Sequence, residues 1–201
     1  MKELWTPSRK LHLPSPALIG FWLEIGAWDA KGKVFHQERA LSRSPLKQLL
    51  QGILAQMSKV DNDAVKDITG TLITWGGSGL LRAEAYLGSD LYGIVVGSDN
   101  TPVDILDYTL VTRIVEGTEA GQLLYGEAVF DSDVTVADPD CTFDMWRNWN
   151  NNSGGSITVR ETGIYTWTNS DFFCIVRDIP TEIVVPDGGG CYVKYTVKIT
   201  E

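Results

Sequence analysis

The segment Asn150-Asn-Asn-Ser-Gly-Gly-Ser156 separates two stretches that alternate with period two. Before it, Phe143, Met145 and Trp149 share one parity, and Thr142, Asp144 and Asn148 the other. After it, Ile157 and Val159 alternate with Ser156, Thr158, Arg160 and Thr162. Side chains along a strand point to opposite faces in turn, so this patterning calls for half-buried strands, and the Asn/Ser/Gly cluster calls for a turn. Gly154 and Gly155 accept positive φ at little steric cost. The expectation is an antiparallel hairpin.

Arg147 and Glu161 fall on the parity that otherwise carries the apolar residues. If residue 149 lies opposite 159, then 147 lies opposite 161, and the two charges meet across the ladder. Arg147 and Glu161 are therefore expected to form a structural ion pair that fixes the register, because a one-residue slip would separate them. The alternative places both near a sheet edge with their charged ends in water.

The remainder of the chain divides into three parts. Residues 1–16 carry Pro7, Pro14 and Pro16 among basic and polar residues and read as an extended arm. Residues 17–60 read as a β-hairpin plus a helix. Phe21, Leu23, Ile25 and Ala27 alternate, with Trp22 and Trp28 on the other parity. Asp29-Ala-Lys-Gly32 makes the turn. Ser44-Pro45 then opens a helix, with Ser as N-cap and Pro in the first turn. Leu46, Leu49, Leu50, Ile53, Leu54 and Met57 form one apolar stripe, expected to face the core or a neighbouring subunit. Residues 61–201 hold many short strand patterns bounded by Gly, Asn, Asp and Pro. The expected fold is mainly β: an antiparallel β-sandwich body, an N-terminal β-hairpin and one amphipathic helix.

Charge is unevenly distributed. Residues 1–60 hold nine Lys/Arg against four Asp/Glu, and residues 61–201 hold eight against twenty-two. The net charge of −9 argues against nucleic acid as a direct partner, which calls for a clustered positive surface. A basic arm on an acidic body suits docking on the same molecule or on a neighbouring copy. No apolar run approaches the ~20 residues of a membrane-spanning helix.

Chemistry-bearing motifs are sparse. Cys141, Cys174 and Cys191 form no CxxC and are expected to be buried strand thiols, so no zinc site is assigned. Gly76-Gly-Ser-Gly79 lacks the Gly-Lys-Ser/Thr ending of a phosphate loop. Asp131, Asp133, Asp138 and Asp140 are dense, but Val134-Thr-Val136 reads as strand and Pro139 stiffens the segment, so a solvated edge is expected in place of a calcium loop. With no GxSxG or HExxH and with only His12 and His36, no catalytic residue, metal or cofactor is assigned.

Several stretches carry a resemblance. Asn151-Asn-Ser-Gly-Gly-Ser-Ile-Thr-Val-Arg-Glu-Thr-Gly-Ile-Tyr165 resembles a hairpin recurring in structural proteins of tailed bacteriophages. So do Tyr92-Gly-Ile-Val-Val-Gly-Ser98, Val103-Asp-Ile-Leu-Asp-Tyr108, Gly121-Gln-Leu-Leu-Tyr-Gly126, Arg177-Asp178 and the closing Tyr195-Thr-Val-Lys-Ile-Thr200. The resemblance covers mainly residues 68–201 and rests on turn and strand motifs.

It implies a non-enzymatic virion structural protein of the head, neck or tail. Such a protein would assemble in the host cytoplasm as symmetric copies, with itself and other virion proteins as partners. Trp5, Trp22, Trp28, Trp146 and Trp167 are the candidate interface residues, because aromatics dominate interface energetics. The alternative is a glycan- or receptor-binding module of a tail fibre or adhesin, with Trp146 and Trp167 as a stacking platform.

Overall fold

The computed structural model describes residues 18–42, 44–58, 61–76, 81–168 and 171–200. The arm with Trp5, and Gly77, Ser78 and Gly79 of the glycine cluster, lie outside the described residues.

Strands β1 (Leu18–Trp28) and β2 (Val34–Ser42) form the N-terminal hairpin. Asp29 closes its turn, its Oδ1 accepting from the amides of Lys31 and Lys33 at 2.9 and 3.0 Å. Helix α1 (Lys47–Ser58) follows. Next come β3 (Asn62–Lys66) and β4 (Leu72–Trp75), which pair with each other, and the wholly buried β5 (Gly93–Gly97). Three short strands, β6 (Leu124–Tyr125), β7 (Val129–Phe130) and β8 (Thr135–Ala137), lead into the long β9 (Asp140–Asn150). The chain ends with β10 (Ile157–Val159), β11 (Glu161–Thr168), β12 (Asp171–Asp178), β13 (Ile183–Val185) and β14 (Gly190–Thr200).

The architecture is mainly β and antiparallel, a sandwich with an N-terminal hairpin and, among the described residues, one helix. One sheet runs β2-β1-β14-β9-β6, with β7 and β8 also pairing with β9. The facing sheet is β12-β11-β5, and β10-β13 forms a separate ribbon. Leu23, Ile25, Met145, Trp149, Val193 and Tyr195 of the first sheet share a buried core with Ile94, Val96, Tyr165, Phe173 and Val176 of the second. Alternation on β1, β9 and β14 thus does what period two requires, sending one parity into the core.

The expected hairpin between 142–149 and 157–165 is not formed. Trp149 lies opposite Cys191 of β14, and Val159 lies opposite Ile183 of β13. The 11-residue β9 is matched along its whole length by the 11-residue β14, whereas β10 offers only three residues. Residues 151–156 are a crossing between layers. Asn151, fully buried, anchors it by donating Nδ2 to the carbonyls of Gly155 and Val185, both at 2.8 Å.

The closing strand is central, with β1 on one side and β9 on the other. Its lysines therefore serve neighbouring strands and do not guard an edge. Lys194 reaches Glu24 and Asp144 at 3.7 and 3.3 Å, and Lys198 reaches Asp140 at 2.6 Å. These cross-strand pairs line the outer face of the large sheet.

The helix begins at Lys47, two residues later than the Ser44-Pro45 signal implies. Ser44 O accepts the amide of Arg177, and Leu46 N donates to Ile175 O, so this stretch runs as a strand-like bridge beside β12. The apolar stripe is divided: Leu46 is buried and Leu49 packs against the core, but Leu50, Leu54 and Met57 turn away from it. Gln48, Gly52 and Ala55 are buried, while Leu50, Leu54 and Met57 are 68%, 60% and 82% exposed. Gly52 explains the choice, since a Cβ there would come within 2.8 Å of the buried Trp75 ring. The helix packs closely through Gly52 with Leu49 beside the core, and only Leu50, Leu54 and Met57 of the stripe face outward.

Of the cysteines, Cys174 and Cys191 are buried and Cys141 is half-buried, all as thiols.

Candidate functional site

The expected Arg147–Glu161 pair is absent, because the two residues belong to different sheets and each has other partners. Arg147, on β9 and fully buried, spends its guanidinium on backbone carbonyls. Nε donates to Gly126 O at 2.8 Å. Nη1 donates to Tyr92 O and Ile94 O at 3.1 and 3.0 Å, and Nη2 to Tyr86 O and Ser89 O at 3.2 and 2.6 Å. A guanidinium has five N–H donors, and five carbonyls receive them. Its carbon sits 4.7 Å from the Tyr125 ring centre, a cation–π contact. Burial pushes its pKa down to about 10, so it stays charged at neutral pH.

Glu161 is held by Arg177 of β12, whose Nε donates to Oε2 at 3.0 Å with both side chains excluded from water. Arg177 Nη1 also reaches Asp107 at 2.8 Å, and Nη2 donates to Thr101 O at 2.9 Å. Glu161 accepts the amides of Val111 and Thr112 at 3.1 and 2.8 Å. Burial works against the Arg177 charge, but Glu161 and Asp107 outweigh it and hold the pKa above the ordinary value. The two arginines thus do the same work on different loops: each fastens irregular backbone to a strand whose own sequence is regular. Sequence parity singled out Arg147 and Glu161 as charges on the apolar side, but not Arg177, which appeared only in the Arg177-Asp178 stretch.

The outer surface offers two further features. A groove of about 560 Å³ lies where β6 and β7 meet the last residues of β9. Leu87, Leu124 and Val129 give it apolar surface, Glu116 and Glu127 give it carboxylates, and Asn148 and Asn150 give it carboxamides. Among the described residues, no lysine or arginine lines it. Glu116 is fixed there by accepting the Tyr125 amide. The second feature is the exposed face of α1.

The candidate interface tryptophans are dispersed. Trp22, Trp28 and Trp146 stand on the outer face of the large sheet: Trp22 lies opposite Thr196, Trp28 opposite Gly190, and Trp146 opposite Lys194. All three are half-buried, and Arg39 covers Trp22 with its guanidinium carbon 5.4 Å from the ring centre. Trp167 belongs to the other sheet, half-buried against Tyr92 with ring centres 5.6 Å apart and beneath Arg82 at 5.2 Å. Trp146 and Trp167 therefore do not make one platform.

The four aspartates at 131–140 do not converge. Asp131 accepts the Asp144 amide, Asp133 its neighbour's, and Asp140 bonds Lys198 and Thr200. Among the described residues no group of three His, Cys, Asp or Glu is placed to hold a metal ion. His36, on β2, is the only histidine described.

No family model matches this chain, and neither a curated protein nor a solved structure is significantly similar to it.

Proposed function

We propose that the chain is a non-enzymatic structural protein of a tailed-bacteriophage virion, a head, neck or tail component assembling in symmetric copies. The observation that carries the assembly reading is the outer face of α1. Leu50, Leu54 and Met57 stand in water on the side of the helix opposite its buried residues. A surface helix normally turns such residues to the core, so an apolar face left outside is suited to a contact with another chain. Edge strand β2 adds Val34 and Phe35, 55% and 49% exposed. The phage component of the reading rests on the turn and strand motifs quoted above. Contacts of this kind need complementary area and symmetry, not a reactive group.

Light scattering on the purified chain, with negative-stain images of the same fractions, tests the proposal. Defined oligomers, rings or tubes are expected. The triple variant L50Q/L54Q/M57Q should remain folded and lose assembly. A wild-type chain that stays monomeric at all concentrations would overturn the reading.

A further inference from the structure

The groove at β6 and β7 and the attachment point of the N-terminal segment lie at opposite ends of the large sheet. Leu18 is in register with Thr200, and Thr200 with Asp140. At the other end Trp28 is in register with Gly190, and Gly190 with Asn150, which lines the groove. The ten intervening steps at about 3.3 Å each put these two ends roughly 30 Å apart.

Residues 1–17 therefore join the sheet far from the groove of their own molecule. To enter it they would have to double back along the sheet. Stacking a second copy end to end would bring its groove beside the attachment point. Seventeen residues reach at most about 55–60 Å when extended, which spans such a junction with length to spare.

The chemistry of segment and groove also match. The segment carries Lys2, Arg9 and Lys10 against a single Glu3, interleaved with Leu4, Trp5, Leu11 and Leu13. The groove carries Glu116 and Glu127 beside Leu87, Leu124 and Val129, with no basic residue in its lining. Asn148 and Asn150 add donors and acceptors suited to an extended backbone.

We propose that the groove lined by Glu116, Glu127, Leu124 and Val129 receives residues 1–17 of a second copy of this chain. The contact is head-to-tail, because donor segment and acceptor groove are different surfaces at opposite ends. Repetition of such a contact closes into a ring or continues as a filament. The inference rests on the assembly reading above and supplies one of its contacts.

The test uses full-length protein, with light and heavy isotope-labelled copies mixed in equal amounts and treated with a carbodiimide. Amide links between Lys2 or Lys10 and Glu127 are mapped by mass spectrometry. Light–heavy hybrid links are expected. Links confined to unmixed chains would mean that the segment folds back on its own molecule, which overturns the proposal.

Charge exchange gives the second readout. Glu127→Lys and the pair R9E/K10E should each weaken association at least tenfold by sedimentation, and their combination should recover most of it. Assembly that persists unchanged in every one of these variants overturns this contact while leaving the assembly reading intact. Absence of assembly in wild type overturns both.

Discussion

Arg177 Nε donates to Glu161 Oε2 at 3.0 Å, and neither side chain touches solvent. The pair joins β12 to the first residue of β11. Its outer partners, Thr101, Asp107, Val111 and Thr112, belong to the loop between β5 and β6. A buried ion pair is costly to break because the remaining charge has no water to turn to.

Arg177→Met should therefore destabilise the fold by about 3–5 kcal/mol, and Glu161→Gln by a smaller amount, about 2 kcal/mol. The double variant should cost less than the sum by at least about 1 kcal/mol, since each single change strands the other partner. Urea unfolding of the four proteins measures the coupling. Strictly additive losses would show that the pair does not act as a unit.

Arg147 gives a prediction of different character, since its partners are all carbonyls. Lys offers three donors on one nitrogen and cannot serve five acceptors spread over two segments. Arg147→Lys should cost roughly 2 kcal/mol and Arg147→Met more than about 3 kcal/mol. Amide hydrogen exchange should quicken first in residues 86–94, which the guanidinium ties to β9. Uniform quickening across the chain would contradict the local role.

Gly52 tests packing against propensity. Gly→Ala within a helix ordinarily gains about 1 kcal/mol. Here the new methyl would lie 2.8 Å from the Trp75 ring, which is fully buried and stacked on Phe173 with ring centres 4.2 Å apart. Overpacking of this kind costs about 1–3 kcal/mol, so Gly52→Ala should lower Tm despite its better helix propensity. A raised Tm would mean that α1 can move outward freely.

Asp178 sets a pH dependence. Burial raises its pKa, and the hydroxyls of Ser42 and Tyr195, at 3.0 and 3.1 Å, offset this only in part. The folded state then holds the proton more tightly than the unfolded state. The Asp178 contribution to stability is fullest below the unfolded value and declines as pH rises through the folded one. Asp178→Asn removes that slope, so the variant should gain on wild type as pH rises above the ordinary carboxylate range. Parallel unfolding curves across that rise would show that Asp178 titrates alike in both states.

Much of the fold was legible from local pattern. The hairpin of β1 and β2 followed from alternation around Asp29 and Gly32. Parity put Arg147 and Glu161 on the apolar side of their strands, and of the two readings this left open, the buried one holds. Their partners did not follow, because parity states which face a residue takes and not which strand stands opposite. The same limit applies to β14, whose partners Glu24, Asp140 and Asp144 come from distant parts of the chain.

The sequence by itself determined the class of fold, most of the strands, the one helix and the separation of a basic N-terminal segment from an acidic body. These depend on local periodicity, turn chemistry and charge, all readable over a few residues. Only the tertiary structure decided that β9 pairs with β14, that the Arg147 donors are satisfied by carbonyls and Glu161 is paired with Arg177, and that α1 leaves Leu50, Leu54 and Met57 in water. Each of those outcomes is a competition among long-range contacts. Matched strand length, the number of available acceptors and the space beside Trp75 settled them, and none of these is a property of a short stretch of chain.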